Sequence, residues 1–257
     1  MGFLLIFIIP AYADDELWIS ITNTQDNIIF DGKWSFTEEW KHSSLTQVET
    51  ENGNFMIRYS HDRENIYVLL DVLSDKKKSH ISDKAIICFD TKNDKGEIPK
   101  SDDYCFVSSI GSTNPVTLQG GTDFKNTGHF KQIKNHDGLI AIGAMSDEND
   151  RYSKIPHATY EYKIPLEIIS KSDVYGFYIL IYDNDKKEFV TWPIEQVGEK
   201  HPHIASPDHW GTLVSPDKSI PEFEFPMLIL VIFSAIMIGI TLKTKSAPGT
   251  FSIFTKI

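Results

Sequence analysis

The chain has 257 residues, of which 25 are basic and 36 acidic, for a formal net charge of −11. Three of the lysines lie beyond residue 242, whereas every acidic side chain precedes residue 226, so residues 14–225 carry 22 basic against 36 acidic groups, a net −14. That balance excludes nucleic-acid binding driven by phosphate neutralisation, and it offers carboxylates to cations instead.

In chain order, residues 3–9 form an apolar stretch closed by Pro10 and Ala11-Tyr12-Ala13, the small-x-small pattern that a signal peptidase accepts. This predicts a signal peptide over residues 1–13, although no basic residue precedes the run. The domain that follows, 14–215, has strand periodicity. Segments 17–21, 55–59, 66–72, 85–89, 104–110, 139–145, 159–164 and 176–182 are short, rich in β-branched and aromatic residues, and bounded by turn formers. Helical patterning is confined to two single turns, one capped by Thr37 and one started by Pro165. Many short strands with little helix predict an all-β fold, a β-sandwich or jelly roll.

The two cysteines belong to one expected hairpin. If 85–90 pairs antiparallel with 103–110 so that Asp90 faces Asp103, Cys88 faces Cys105, because each lies two residues further from the loop. An exported protein with only these two cysteines favours a disulfide between them. The same hairpin gathers Asp90, Asn93, Asp94, Glu97, Asp102 and Asp103 around its loop. Two accounts of this cluster stay open: solvated Asx turns, or a hard cation such as calcium held by Asp90, Asp94, Asp102 and Asp103. Further on, His201, His203, Asp208 and His209 fall within nine residues, a spacing open to copper or zinc but interrupted by Pro202 and Pro207.

At the C-terminal end, a linker over 216–225 leads to an uncharged apolar run over 226–242, followed by Lys243 and Lys245. The sixteen residues after Pro226, 227–242, cover about 24 Å at 1.5 Å rise, a little short of the ~30 Å hydrocarbon core, and the flanking Phe223, Phe225 and lysines extend the match. Lysines after the run and Glu222 and Glu224 before it place the 243–257 tail in the cytoplasm and the acidic domain outside. The expected protein is therefore a single-pass membrane protein with an external β-domain.

Several motifs carry a resemblance. Ile28-Ile29-Phe30-Asp31-Gly32-Lys33-Trp34 with Glu39-Trp40, Tyr59-Ser60-His61-Asp62 leading into Ile66-Tyr67-Val68, and Asp102-Asp103-Tyr104 are its first landmarks. Tyr160-Glu161-Tyr162-Lys163-Ile164-Pro165, Tyr182-Asp183-Asn184-Asp185, Thr191-Trp192-Pro193 and His209-Trp210-Gly211-Thr212-Leu213 continue it. In order and spacing, residues 20–214 resemble the family 9 carbohydrate-binding module superfamily. That resemblance implies a β-sandwich, often with bound calcium, in a family of sugar binders that also has relatives holding b-type haem. Pro221-Glu222-Phe223 before the apolar run resembles the PEF-type C-terminal anchors of archaeal surface proteins.

For a sugar or glycan ligand, the resemblance points to Trp192, flanked by Asp183 and Asp185, as one wall of an aromatic sandwich. The chain departs from the pattern at the other wall, since residues 74–84 contain no Phe, Tyr or Trp. A haem would need an axial pair, for which Met56, His61, Met145 and His157 are the available side chains. The sequence has no nucleophile elbow, phosphate loop or zinc-protease motif, and Glu161 with Glu167 makes a glycosidic pair only if their geometry allows it. A binding module is the expected class.

Overall fold

The computed structural model describes residues 15–22, 28–35, 38–194 and 204–216. The expected signal peptide, PEF-type segment, membrane span and tail lie outside these residues. Among the described residues no helix is long and apolar enough to cross a membrane.

Two antiparallel-rich sheets carry the fold. The first contains β1 (Glu16–Trp18), β6 (Lys84–Asp90), β7 (Asp103–Ser109), β8 (Val116–Gln119), β9 (Lys131–Ile133), β12 (Val174–Asp183), β13 (Glu188–Trp192) and β14 (Gly211–Val214). Its order is β1-β14-β12-β6-β7-β8-β9, with β13 also paired to β12. The second contains β2 (Ser20–Ile21), β3 (Ser44–Thr50), β4 (Gly53–His61), β5 (Asn65–Val72), β10 (Ile140–Met145) and β11 (Ala158–Pro165), in the order β10-β11-β5-β4-β2 with β3 paired to β4.

Side chains alternate across a strand, and the main core is built from one set of alternates. Phe55, Ile57 and Tyr59 of β4, Ile66, Val68 and Leu70 of β5, and Tyr160, Tyr162 and Ile164 of β11 pack with Ala85, Ile87 and Phe89 of β6 and Phe177, Ile179 and Ile181 of β12. The other set would face water, yet much of it is covered. Trp34 and Trp40 close over Tyr67 and Leu69, and Trp210 and Phe130 close over Tyr178, Leu180 and the two cysteines.

Seven of the eight expected strands are present to within a few residues, the eighth, 17–21, breaks at Ile19 into β1 of the first sheet and β2 of the second, and the turn after Pro165 is a short helix, α1 (Leu166–Ile169). Strands β3, β8, β9, β13 and β14 are additions that the periodicity did not single out. The hairpin register is the expected one: Asp90 pairs with Asp103 and Cys88 with Cys105. Cys88 and Cys105 are disulfide-bonded and fully buried. Cross-linking 17 positions apart constrains the unfolded chain by about 3 kcal/mol in the chain-entropy account.

Candidate functional site

Among the described residues, three groups of buried ligand atoms stand out, each with its members within 4.8 Å of one another: Asp90–Asp102–Asp103, Asp75–Asp83–Asp183 and Asp71–Asp150–His157. The first lies where the sequence placed a cation. Asp90 accepts from the Lys92 and Lys95 backbone N–H groups at 3.1 and 2.8 Å, and Asp103 accepts from that of Lys100. Asp103 Oδ1, Asp102 Oδ2 and Asn93 Oδ1 are buried without a hydrogen-bond partner, with Lys92 Nζ 3.5 Å from Asp102. Burial, and then the charges of Asp90, Asp102 and Asp94, push Asp103 up to about 7. Gly176 makes room for this arrangement: it faces Asp90 across the β12–β6 pairing, and a Cβ there would stand 2.8 Å from the Asp90 Cβ. Asp94 departs from the expected ligand set, because its carboxylate is turned to Lys100 Nζ at 2.7 Å.

The second group sits at the opposite end of β6. Seven extended residues separate Asp83 from Asp90, about 23 Å. A narrow crevice of only about 10 Å³, room for about one water, opens beside it, lined by Asn52, Ser74, Asp75, Asp183, Lys186 and Glu188, with Val190 and Phe189 on its apolar side. The lining joins the chain after β5 to the β12–β13 hairpin, the two places from which the resemblance draws its aromatic walls.

Trp192 does not line that crevice. It is 6% exposed, packs on Phe177 at 5.8 Å between ring centroids, and lies against Gly211, where a Cβ would stand 2.6 Å from the indole. A ring so enclosed has no open face on which a pyranose could stack, so Trp192 serves the core. Asp185 turns its carboxylate to Lys77 Nζ at 2.6 Å. Of the three residues expected to bind a sugar, only Asp183 reaches the crevice.

The third group corrects the haem expectation for His157. Its Nδ1 lies 2.8 Å from the Ile155 carbonyl and 3.0 Å from Ser146 Oγ, and its Nε2 is bonded to Asp71. Burial pulls His157 down, but the hydrogen bond and charge of Asp71 outweigh it and leave the imidazole above its ordinary value. Both ring nitrogens are engaged, so none is presented to a haem iron. Ser146, His157 and Asp71 mimic the order of a hydrolytic triad, but Ser146 is buried and its Oγ already accepts the His157 N–H at 3.0 Å. Met56 and Met145 sit on β4 and β10, paired with Asp71 and Ala158, and His61 is buried on β4 opposite Ile66. His201 and His203 lie outside the described residues, and His209 Nδ1 contacts Asp208 at 3.1 Å.

Glu161 and Glu167 are not a glycosidic pair. Glu161 is buried beneath the 28–40 segment, where its two oxygens accept from Asp31 N, Gly32 N and Trp40 Nε1 at 3.0, 2.8 and 3.0 Å, while Glu167 is exposed on α1. Glu161, Asp75, Asp83 and Asp71 were not legible as a set, since residues in outward strand positions or turns normally meet water.

A scan of protein-family models finds no match for this chain, and neither does a search of curated proteins. Among solved structures, a family 9 carbohydrate-binding module from Caldicellulosiruptor kristjanssonii in complex with cellotriose superposes with a TM-score of 0.50 at 14% identity, covering 82% of this chain and 100% of that one. The module from the same organism in complex with glucose reaches 0.47 at 15% identity over 78% and 95%. The described domain thus has a fold like that of the family 9 carbohydrate-binding modules.

Proposed function

We propose that this chain is a non-catalytic sugar-binding protein, held at the outer face of a cell membrane by its C-terminal apolar segment. The observation that carries the sugar reading is the fold likeness of the described domain to a module in complex with cellotriose. A pyranose needs hydroxyl partners around an apolar C–H face; with only about 10 Å³ inside the crevice between the segment after β5 and the β12–β13 hairpin, a sugar would lie across its rim, near Asn52, Lys186 and Glu188.

With no open aromatic sandwich, the ligand keeps much of its surface in water, and fewer contacts offset the cost of association. Cello-oligosaccharides are expected to bind with Kd of about 1 mM, near −4 kcal/mol. Calorimetry on Asn52→Ala and Glu188→Ala should show at least tenfold weaker binding with the melting temperature nearly unchanged. A glycan screen without any ligand, or full affinity in both variants, would remove the reading.

The hairpin residues Asp90, Asp102 and Asp103, with Asn93, fit a calcium-class ion, because three of their buried oxygens have no hydrogen-bond partner and all the donors are hard. Bound there, the ion would neutralise carboxylates that otherwise repel.

The membrane part of the proposal rests on the apolar run over 226–242 with lysines on its far side. Protease added to intact cells should remove residues 14–220 and leave 243–257 protected. Survival of the acidic domain under that treatment would place it on the wrong side.

A further inference from the structure

We propose that the sugar taken by this domain is anionic, a glycan bearing uronate carboxylates or sulfate esters, and that Lys76, Lys78 and Lys84 with the lysines of the β12–β13 turn receive its charges. The proposal rests on the sugar reading above and names the class of sugar.

The domain over 14–225 carries a net −14, yet one end of the sandwich reverses that sign at its surface. Two segments meet there, the loop between β5 and β6 and the turn between β12 and β13. Asn184 N donates to Asp83 at 2.9 Å, Lys186 Nζ to the Ser74 carbonyl at 2.9 Å and Lys77 Nζ to Asp185 at 2.6 Å, so the two are tied together. Over 74–84 and 183–188 they hold Lys76, Lys77, Lys78, Lys84, Lys186 and Lys187, every one of them exposed.

The acids of the same stretches are placed differently. Asp75 and Asp83 are buried, Asp183 has a side chain only 13% exposed, and Glu188 is half-buried, which leaves Asp185 as their one exposed carboxylate. Asp83 turns to Ser79 N and Asn184 N at 2.7 and 2.9 Å, and Asp183 to Asp185 N and Lys186 N at 3.0 and 3.2 Å. Burial, and then the charges of Asp183 and Asp83, push Asp75 up to about 7, so this group carries less charge than its number of acids suggests. The lysines therefore set the field that an approaching ligand meets, while the rest of the domain repels an anion.

Three of these lysines are available outright. Among the described residues Lys76, Lys78 and Lys84 have no anionic partner. Lys77 and Lys186 pair with Asp185 and Asp183 at 2.6 and 3.0 Å, but such surface pairs contribute little and exchange readily for a ligand's charges. Lysine is a hydrated point charge on a flexible stem, which suits charges repeated along a polymer better than one planar contact. A lipid headgroup would offer similar charges, but the position of the patch favours the glycan. Val174 at the start of β12 pairs with Val214, two residues before the described chain ends, whereas Asp183 closes the other end of β12, nine residues or about 30 Å away. The lysines stand at the end of the sandwich opposite the chain's exit.

Calorimetry on the full chain in detergent tests the charge, with cellotriose, sulfated cellotriose, trigalacturonate and pyrophosphate as probes. At low salt one of the two anionic sugars is expected to bind about tenfold tighter than cellotriose, and to lose that advantage at about 1 M salt, where charges are screened beyond about 3 Å. Trigalacturonate ahead identifies a uronate, sulfated cellotriose ahead a sulfate ester, and either supports the proposal. Lys76→Gln with Lys78→Gln should cut the ratio of anionic to neutral affinity about fivefold at an unchanged melting temperature, because both side chains are exposed. Lys131→Gln with Lys134→Gln, at exposed lysines on and just after β9, should leave the ratio as it was.

An unchanged ratio in the first pair, an equal fall in the second, or pyrophosphate binding as tightly as the anionic sugars would each overturn the proposal. Cellotriose binding with no advantage for either anionic sugar would overturn the charge and leave the sugar reading intact. No binding of any of the three sugars would overturn both.

Discussion

Glu161→Ala is expected to lower the melting temperature by about 10 °C or more, the largest single-residue effect in the domain. The side chain is buried on the outer face of β11, and truncation strands three buried donors: Asp31 N, Gly32 N and Trp40 Nε1. Each orphaned group costs about 1–3 kcal/mol, so a total near 4 kcal/mol follows, and at this domain size 1 kcal/mol moves the midpoint about 2–4 °C. Burial also pushes Glu161 up to about 8, against the pull of these donors, so its position is already costly and depends on the clasp. Glu39 holds the same segment through Ile29 N and Ser35 N, both at 2.8 Å, and cannot replace the lost acceptor. Thermal melts followed by tryptophan emission would report loosening of Trp34 and Trp40. A Glu161→Ala protein melting within 2 °C of the parent would refute the clasp, and the exposed Glu167→Ala is the control.

The second large effect is a stability that falls with pH in chelator and is restored by calcium. Burial pushes Glu161 up to about 8, Asp75 and Asp103 each up to about 7 and Asp71, despite the pull of His157, to about 6. All four folded-state values lie above the unfolded carboxylate value, so the folded chain binds protons more tightly. Their stabilisation is therefore greatest at acid pH and declines as pH rises through about 4 to 8. His157, raised above its ordinary value, loses its contribution in the same direction near neutrality. Asp62 and Asp147 run the other way, but they are lowered from 3.8 and titrate below this window. In chelator the melting temperature should fall between pH 5 and pH 8 by an amount on the order of 5 °C. At pH 8, calcium at about 100 times its Kd should return about 2.7 kcal/mol per site, whereas at pH 5 protons compete for the same oxygens and the gain shrinks. A flat profile in chelator, or a calcium effect as large at pH 5 as at pH 8, would contradict this account.

What the sequence determined by itself was local and periodic. Short runs rich in β-branched and aromatic residues between turn formers identified the strands over 55–59, 66–72 and 159–164, because such side chains suit a pleated surface whatever it packs against. The distance of Cys88 and Cys105 from a shared loop set their register and hence their bond, and the acidic hairpin turned out to bring Asp90, Asp102 and Asp103 together. Other outcomes were decided only by tertiary structure. Trp192 was legible as an aromatic residue after a turn, but the ring face it offers depends on Phe177 and Gly211, which pack on it from other elements. Glu161 reads as a solvated outward position until the 28–40 segment, more than 120 residues earlier, folds over it. Asp83 and Asp183 meet across 100 positions of sequence, and Asp71 and His157 across 86. No local pattern records such meetings, because they follow from how two whole sheets stack and where their connecting loops come to rest.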